Sequence, residues 1–268
     1  MTQAATHSSE TGEVVAENVA ISYEVRGNVL PVLSDVSFRL RPGTSTAVIG
    51  PSGCGKSTLL MAIAGLLKPT AGRITIGGDP VNGPHRDLGV VFQKDLLLDW
   101  RTSVENVLLQ VELRSMKKSE YVSRAKGLLD TLGLHAFYNR YPRELSGGMR
   151  QRVSISRALV HRPKVLLMDE PFGALDSLTR EQANIDVTEI CAEEGATTLL
   201  ITHSIEEAAF MSDEVLVMSP RPSQIVGRIP IDLPRPRTLA LKGTPEFAHY
   251  VQEIRDVFSR EGVLNDHR

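Results

Sequence analysis

The chain has 268 residues, 41% of them hydrophobic and 23% charged, and a formal net charge of −2. That size supports one large α/β domain, or a core with a subdomain, and the balanced charge argues against a nucleic-acid partner. No apolar run approaches the roughly 20 residues of a membrane-spanning helix, and two cysteines, Cys54 and Cys191, are too few and too distant for a disulfide framework or a zinc site.

In chain order, the polar start MTQAATHSSETGEVV lacks the apolar stretch of a signal peptide and is expected to be a flexible leader over residues 1–12. VVAENVAISYEV and VLSDVSFRL then read as short strands broken by RGN and a proline, and TSTAVIG as a third strand. KSTLLMAIAGLL carries apolar residues at 59, 60, 63, 66 and 67 and reads as a helix stopped at Lys68-Pro69. RITIGG and LGVVFQ follow as strands. From about 97 to 160 the pattern turns helical, opened by a capping box with Thr102 and Glu105 three residues apart. Strand and helix then alternate through KVLLMDEP, a helix near 178–194, TTLLITHS and EVLVMSP, so a helical insert interrupts a mostly parallel α/β core. The tail SPRPSQIVGRIPIDLPRPR holds five prolines and is expected to be extended, with short β segments. Its arginines suit a membrane surface or, preferably, a solvated or self-docked segment. The final EFAHYVQEIRDVFSRE places Phe247, Tyr250, Val251, Ile254, Val257 and Phe258 on one helical face, which favours packing on its own domain over a subunit contact.

The strongest chemical signal is GPSGCGKST, formed by Gly50, Pro51, Ser52, Gly53, Cys54, Gly55, Lys56, Ser57 and Thr58. Between a strand and a helix, its glycines let several N–H groups face one anion, and the helix dipole adds positive potential. Lys56 then reaches terminal phosphates, and the Ser57 hydroxyl is placed to ligate Mg²⁺. Cys54 and Cys191 read as reduced thiols, and an exposed, reactive Cys54 is the disfavoured alternative. VLLMDE delivers Asp169 and Glu170 to the carboxyl edge of the sheet, the rim where ligands lie in open parallel sheets. Asp169 there suits Mg²⁺, directly or through water, and Glu170 suits proton abstraction from an attacking water. Gln93 after GVVF and His203 after TLLIT leave their strands in the same manner. Each alone has an ordinary structural reading; together the four strand exits suit gripping and cleaving a γ-phosphate. The pair of glycines in LSGGMRQR, residues 145–152, makes a second anion-binding helix start and raises the question of why one chain needs two.

These motifs, over residues 13–225, resemble the ATP-binding subunit of an ATP-binding cassette (ABC) transporter. GPSGCGKST resembles Walker A, VLLMDE Walker B, Gln93 the Q-loop, LSGGM the signature, Ala174-Leu175-Asp176 the D-loop and His203 the switch histidine. Tyr23 matches the aromatic residue that stacks on adenine. Met149 departs from the widest signature pattern, which has Gln there. The resemblance implies a P-loop NTPase (RecA-like) α/β core, an N-terminal antiparallel β-subdomain, an inserted helical subdomain at about 97–160, and a C-terminal extension over 226–268. It implies ATP and Mg²⁺, with Ser57, Gln93 and Asp169 at the metal and Lys56, Gln93, Glu170 and His203 in catalysis. It also implies a head-to-tail homodimer in which Ser146, Gly147, Gly148 and Asp176 of one copy meet the nucleotide held by the other. Separate integral membrane permease subunits would make the chain peripheral at the cytoplasmic face of the inner membrane, with an extracytoplasmic solute-binding protein acting indirectly.

QKDLLLDWRTSVENV, with the single tryptophan Trp100, is then the expected permease-docking surface, with a core role for Trp100 as the rival. DEPFGALDSLTREQ and the proline-rich tail are similar to the nitrate, sulfonate and taurine importer group. Cassettes of DNA repair or translation fit less well, because no coiled-coil insert or second cassette is present. A scaffold without catalysis is disfavoured by the retained Lys56, Asp169, Glu170 and His203. A cassette for lipid trafficking or export would be separated by its membrane partners.

Overall fold

The computed structural model describes residues 12–261, so the expected leader lies outside the described residues apart from Gly12. Its N-terminal part is a four-stranded antiparallel sheet built from β1 (Val14–Val25), β2 (Asn28–Leu40), β4 (Ala71–Ile76) and β5 (Asp79–Pro80), in the order β2-β1-β4-β5. β1 spans the expected VVAENVAISYEV, whereas β2 begins at Asn28, four residues before the expected VLSDVSFRL. RGN is only the tip of one hairpin, where Arg26 and Gly27 take φ of 52° and 78°, the paired positive values of a tight hairpin turn. Pro31 continues β2, which is possible because β2 is the sheet edge and a missing N–H costs no ladder bond there.

The second sheet has the order β10-β9-β3-β8-β7-β6, from β3 (Ser45–Ile49), β6 (Leu88–Val91), β7 (Val165–Asp169), β8 (Thr197–Ile201), β9 (Glu214–Met218) and β10 (Ile225–Pro230). All neighbours are parallel except β10, which runs antiparallel to β9. Its central strands read as unbroken apolar runs because both faces are covered. Ala47, Ile49, Leu166, Met168, Leu200, Val215 and Val217 enter the core on the helical side. Val48, Val165, Leu167, Leu199, Ile201, Leu216 and Met218 enter the core beneath the antiparallel sheet and α1 (Lys56–Ile63). The period of two thus divides every strand between two cores.

α1 stops earlier than its apolar pattern indicates. Gly65 takes φ of 71°, and a Cβ there would lie 2.1 Å from the Gly83 carbonyl oxygen, so Leu66 and Leu67 belong to a turn packed on a loop. The helical region comprises α2 (Ser103–Leu113), α3 (Lys118–Thr131) and α4 (Gly147–Leu159). The Thr102–Glu105 capping box opens α2, with the Thr102 N–H donating to Glu105 Oε2 at 2.8 Å.

α5 (Ser177–Glu193) and α6 (Ile205–Met211) complete the core, and α7 (Pro245–Arg260) closes the tail. Phe247, Val251, Ile254, Val257 and Phe258 of α7 are buried in the same core as α6. The tail is therefore docked on its own domain, as preferred, and β10 crosses the expected boundary at 225/226 to join the main sheet. Arg237 anchors this strap: it is 3% exposed, and its Nη1 donates to the carbonyls of Phe210 and Ser212, both at 2.7 Å, at the end of α6.

Candidate functional site

Strand register explains why residues far apart in sequence meet at one rim. Val91 of β6 pairs with Met168 of β7, so Gln93 and Glu170, each two residues on, leave the sheet side by side. Asp169 pairs with Ile201 of β8, which brings His203 to the other flank of Glu170. The contacts follow: Gln93 Nε2 donates to Glu170 Oε2 at 2.9 Å, and His203 Nδ1 lies 3.6 Å from Glu170 Oε1. Glu170 has φ of 46°, an uncommon left-handed backbone for a residue other than glycine, and its N–H donates to the Ile201 carbonyl at 2.9 Å. That turn aims a carboxylate out of the strand end, and its side chain remains 24% exposed.

The glycine loop leaves β3 between β8 and β9. Gly50 passes so close to Met218 that a Cβ would meet the Met218 Cβ and carbonyl oxygen at 3.0 Å, and Gly55 adopts φ of 121°, a backbone that L side chains rarely adopt. Lys56 is 8% exposed, and its ammonium donates to the carbonyls of Gly50 at 2.9 Å and Pro51 at 3.1 Å. Among the described residues the Gly55 N–H has no protein acceptor. The first-turn amides of α1 have no intrahelical partner by construction. A buried ammonium facing only carbonyls, beside free amides at a helix start, fits a polyphosphate. Asp169, 8% exposed, has its carboxyl pushed up by burial, opposed by a hydrogen bond from the Ser57 hydroxyl and reinforced by the Glu170 charge. Ser57 and Asp169 are hard oxygen donors that suit Mg²⁺, an ion that keeps much of its water. Tyr23 reaches the same helix start, its hydroxyl 3.5 Å from Thr58 Oγ1.

Cys54 is a free thiol 2% exposed, which rules out the disfavoured reactive reading; the loop packs it inward against Gly50. Trp100 is 73% exposed, which overturns the core-filler reading.

The signature residues are placed elsewhere. Ser146 caps α4 by accepting from the Met149 N–H at 3.2 Å, and Gly147 and Gly148 pack against Ala174 and Leu175. Asp176 caps α5 by accepting from the Thr179 N–H at 3.1 Å, and the Thr179 hydroxyl together with that N–H holds its carboxyl below the usual range. Among the described residues no hydrogen bond joins 146–148 to the glycine loop.

Sequence reading missed the residues that join these parts. Arg150 Nε donates to Asp95 at 2.9 Å, and Arg157 donates to the carbonyls of Leu96 and Asp95, both at 2.7 Å. The signature helix thereby holds the loop after Gln93. The basic run behind the glycines was the available signal, but charge on a helix ordinarily marks a solvated face.

A family model described as ABC transporter matches residues 33–173. The taurine import ATP-binding protein TauB of Pseudomonas aeruginosa is 41% identical over 250 residues, covering 91% of this chain and 95% of that protein. The nitrate import ATP-binding protein NrtC of Synechococcus elongatus is 45% identical over 226 residues, covering 83% of this chain and 34% of NrtC. The dimeric post-hydrolysis structure of the ATP-binding cassette MJ0796 bound to ADP and Pi matches with a TM-score of 0.75 and 31% identity, covering 82% of this chain and 99% of that one. On these matches the chain belongs to the ABC transporter family as an ATP-binding ATPase subunit similar to those of the taurine and nitrate importers.

Proposed function

We propose that this ATPase powers uptake of a small anion of the sulfonate or nitrate class through separate membrane permease subunits, working as a head-to-tail homodimer. The observation that carries the reading is the convergence of Gln93 and His203 on Glu170 beside a glycine loop suited to phosphate, while the second glycine helix start makes no hydrogen bond to that loop among the described residues. A grip that does not meet its own loop is accounted for by a loop on a second copy. The relatives are import proteins, and the matched cassette is dimeric.

In this reading Tyr23 stacks on adenine, and Lys56 exchanges the Gly50 and Pro51 carbonyls for the outer phosphates. Ser57 and Asp169, with Gln93, would hold Mg²⁺, which neutralises charge on the β- and γ-phosphates. Glu170 accepts the proton of the attacking water, and His203 and Gln93 orient it. Ser146, Gly147 and Gly148 of the second copy close over the γ-phosphate, with Asp176 beside them. ATP favours the closed pair and hydrolysis releases it, a ligand-biased two-state element. Motion is passed to separate permeases at the cytoplasmic face of the inner membrane, and no helix among the described residues is long and apolar enough to cross a membrane itself. Trp100 and Leu96, 73% and 54% exposed, supply an apolar docking surface there. A solute-binding protein delivers cargo from outside without touching this chain.

The test is light scattering of a slow-turnover Glu170→Gln chain with ATP. It should dimerise, and adding Ser146→Arg should leave it a monomer that still binds ATP. A dimer that survives Ser146→Arg contradicts the shared grip. Purification with the membrane partners in detergent, followed by solute-binding assays, identifies the cargo.

A further inference from the structure

The proline-rich segment after β9 does more than link β9 to β10. Ser223 is fully buried, and its hydroxyl donates to the carbonyl of Cys54 in the middle of the glycine loop. The backbone of Ser223 is itself held from both sides: its N–H donates to the Val32 carbonyl at 2.9 Å, and its carbonyl accepts from the Ser34 N–H at 2.9 Å. Leu33 and Ser223 form an isolated parallel bridge, which ties the antiparallel sheet to the nucleotide loop at this point. The hydroxyl is thus presented from a fixed mount.

We infer that Ser223 is a positioning residue for ATP, aligning one phosphate-binding amide of the glycine loop through its bond to the Cys54 carbonyl. The inference rests on reading that loop as the ATP site. In a trans peptide the C=O and the following N–H point in opposite directions. Anchoring the Cys54 oxygen on Ser223 therefore directs the Gly55 N–H away from the protein wall, and that N–H has no protein acceptor among the described residues. Gly55 stands at φ of 121°, so rotation of this peptide is not limited by a side chain. It is limited by the Ser223 bond and by the close packing of Gly55 on Val32 and Leu33, where a Cβ would approach to 2.8 and 2.9 Å. The Cys54 carbonyl lies outside the α1 ladder, whose first bond runs from the Leu59 N–H to Gly55. Removing the hydroxyl leaves that carbonyl without its buried donor, and the peptide turns toward whatever partner it finds. An amide aimed at a phosphate makes a charge-assisted bond, and its misalignment weakens the ground state and the transition state alike.

The test is isothermal titration of ATP without Mg²⁺, steady-state ATPase kinetics and urea unfolding, on wild type, Ser223→Ala and Ser223→Thr. Thr188→Ala, which removes another buried hydroxyl-to-carbonyl bond from within α5, is the structural control. Ser223→Ala should raise Kd and KM about tenfold with kcat within about twofold. Thr188→Ala should lose stability at wild-type affinity, and Ser223→Thr should recover most of the binding. Ser223→Cys, a weak donor of similar shape, serves if the alanine variant does not fold, and is expected to raise Kd about threefold. Wild-type affinity in Ser223→Ala overturns the inference, as does alanine-like affinity in a Ser223→Thr chain of wild-type stability. Failure of the wild type itself to bind ATP would instead overturn the site assignment.

Discussion

Replacing Glu170 by Gln isolates the chemistry of the rim from its architecture. The amide keeps the volume of the side chain and can still accept from Gln93, whose Nε2 lies 2.9 Å from Glu170 Oε2. The bond loses its ionic character, and the carboxylate that His203 approaches at 3.6 Å becomes a neutral amide. With the side chain 24% exposed, these losses are screened, and the stability change should stay below about 1 kcal/mol. Loss of the group that takes the proton from water carries a much larger effect. A positioned general base typically contributes about 10²–10⁴ in rate, equivalent to about 3–6 kcal/mol in the barrier at about 1.4 kcal/mol per decade. The variant should therefore bind ATP with a Kd close to wild type and hydrolyse it at least about a hundredfold more slowly. Titration of ATP, phosphate release under saturating nucleotide and thermal unfolding separate the three quantities. Turnover within about threefold of wild type would refute the base assignment, and a large drop in the unfolding midpoint would refute the isosteric argument.

Two further outcomes concern the frame around the site. Arg237→Ala removes a buried donor that serves the Phe210 and Ser212 carbonyls, so it should lower stability by about 3 kcal/mol or more, read from urea unfolding. His161 donates from Nε2 to the Leu88 carbonyl, and burial, with Arg114 nearby, pulls its imidazole down to about 4. Between that value and the ordinary one near 6.5 the unfolded chain binds a proton that the folded chain does not. Stability contributed by the neutral ring is therefore present above about pH 6.5 and falls as the solution is acidified. The loss should be about 2 kcal/mol by pH 5, and His161→Gln should flatten that slope in urea titrations at the two pH values.

Much of the site could be read directly. The glycine loop, the carboxylate pair and the capping box are local, because their chemistry depends on residues within one turn or strand end. The α7 stripe was equally readable, since five buried residues at helical spacing define its face. Other features were hidden because they depend on distant backbone. The early end of α1 is decided by Gly83 pressing on Gly65. The burial of Cys54 is decided by loop packing, and the exposure of Trp100 by its place on a loop that no element among the described residues covers. The Arg150, Arg157 and Ser223 contacts join segments about 60 to 170 residues apart, and no spacing rule reaches that far.

Identity and chemical parts were thus set in the chain itself: apolar runs that end in particular polar residues, and glycines where a backbone must curl around an anion. The register of three parallel strands decided that Gln93, Glu170 and His203 meet, because pairing Val91 with Met168 and Asp169 with Ile201 levels their exits. Tertiary packing also decided that Gly147 and Gly148 lie against Ala174 and Leu175, and that the tail braces α6. The physical reason is the range of the forces: propensity and capping act over a few residues, whereas register, burial and long-range hydrogen bonds exist only once separate segments have packed.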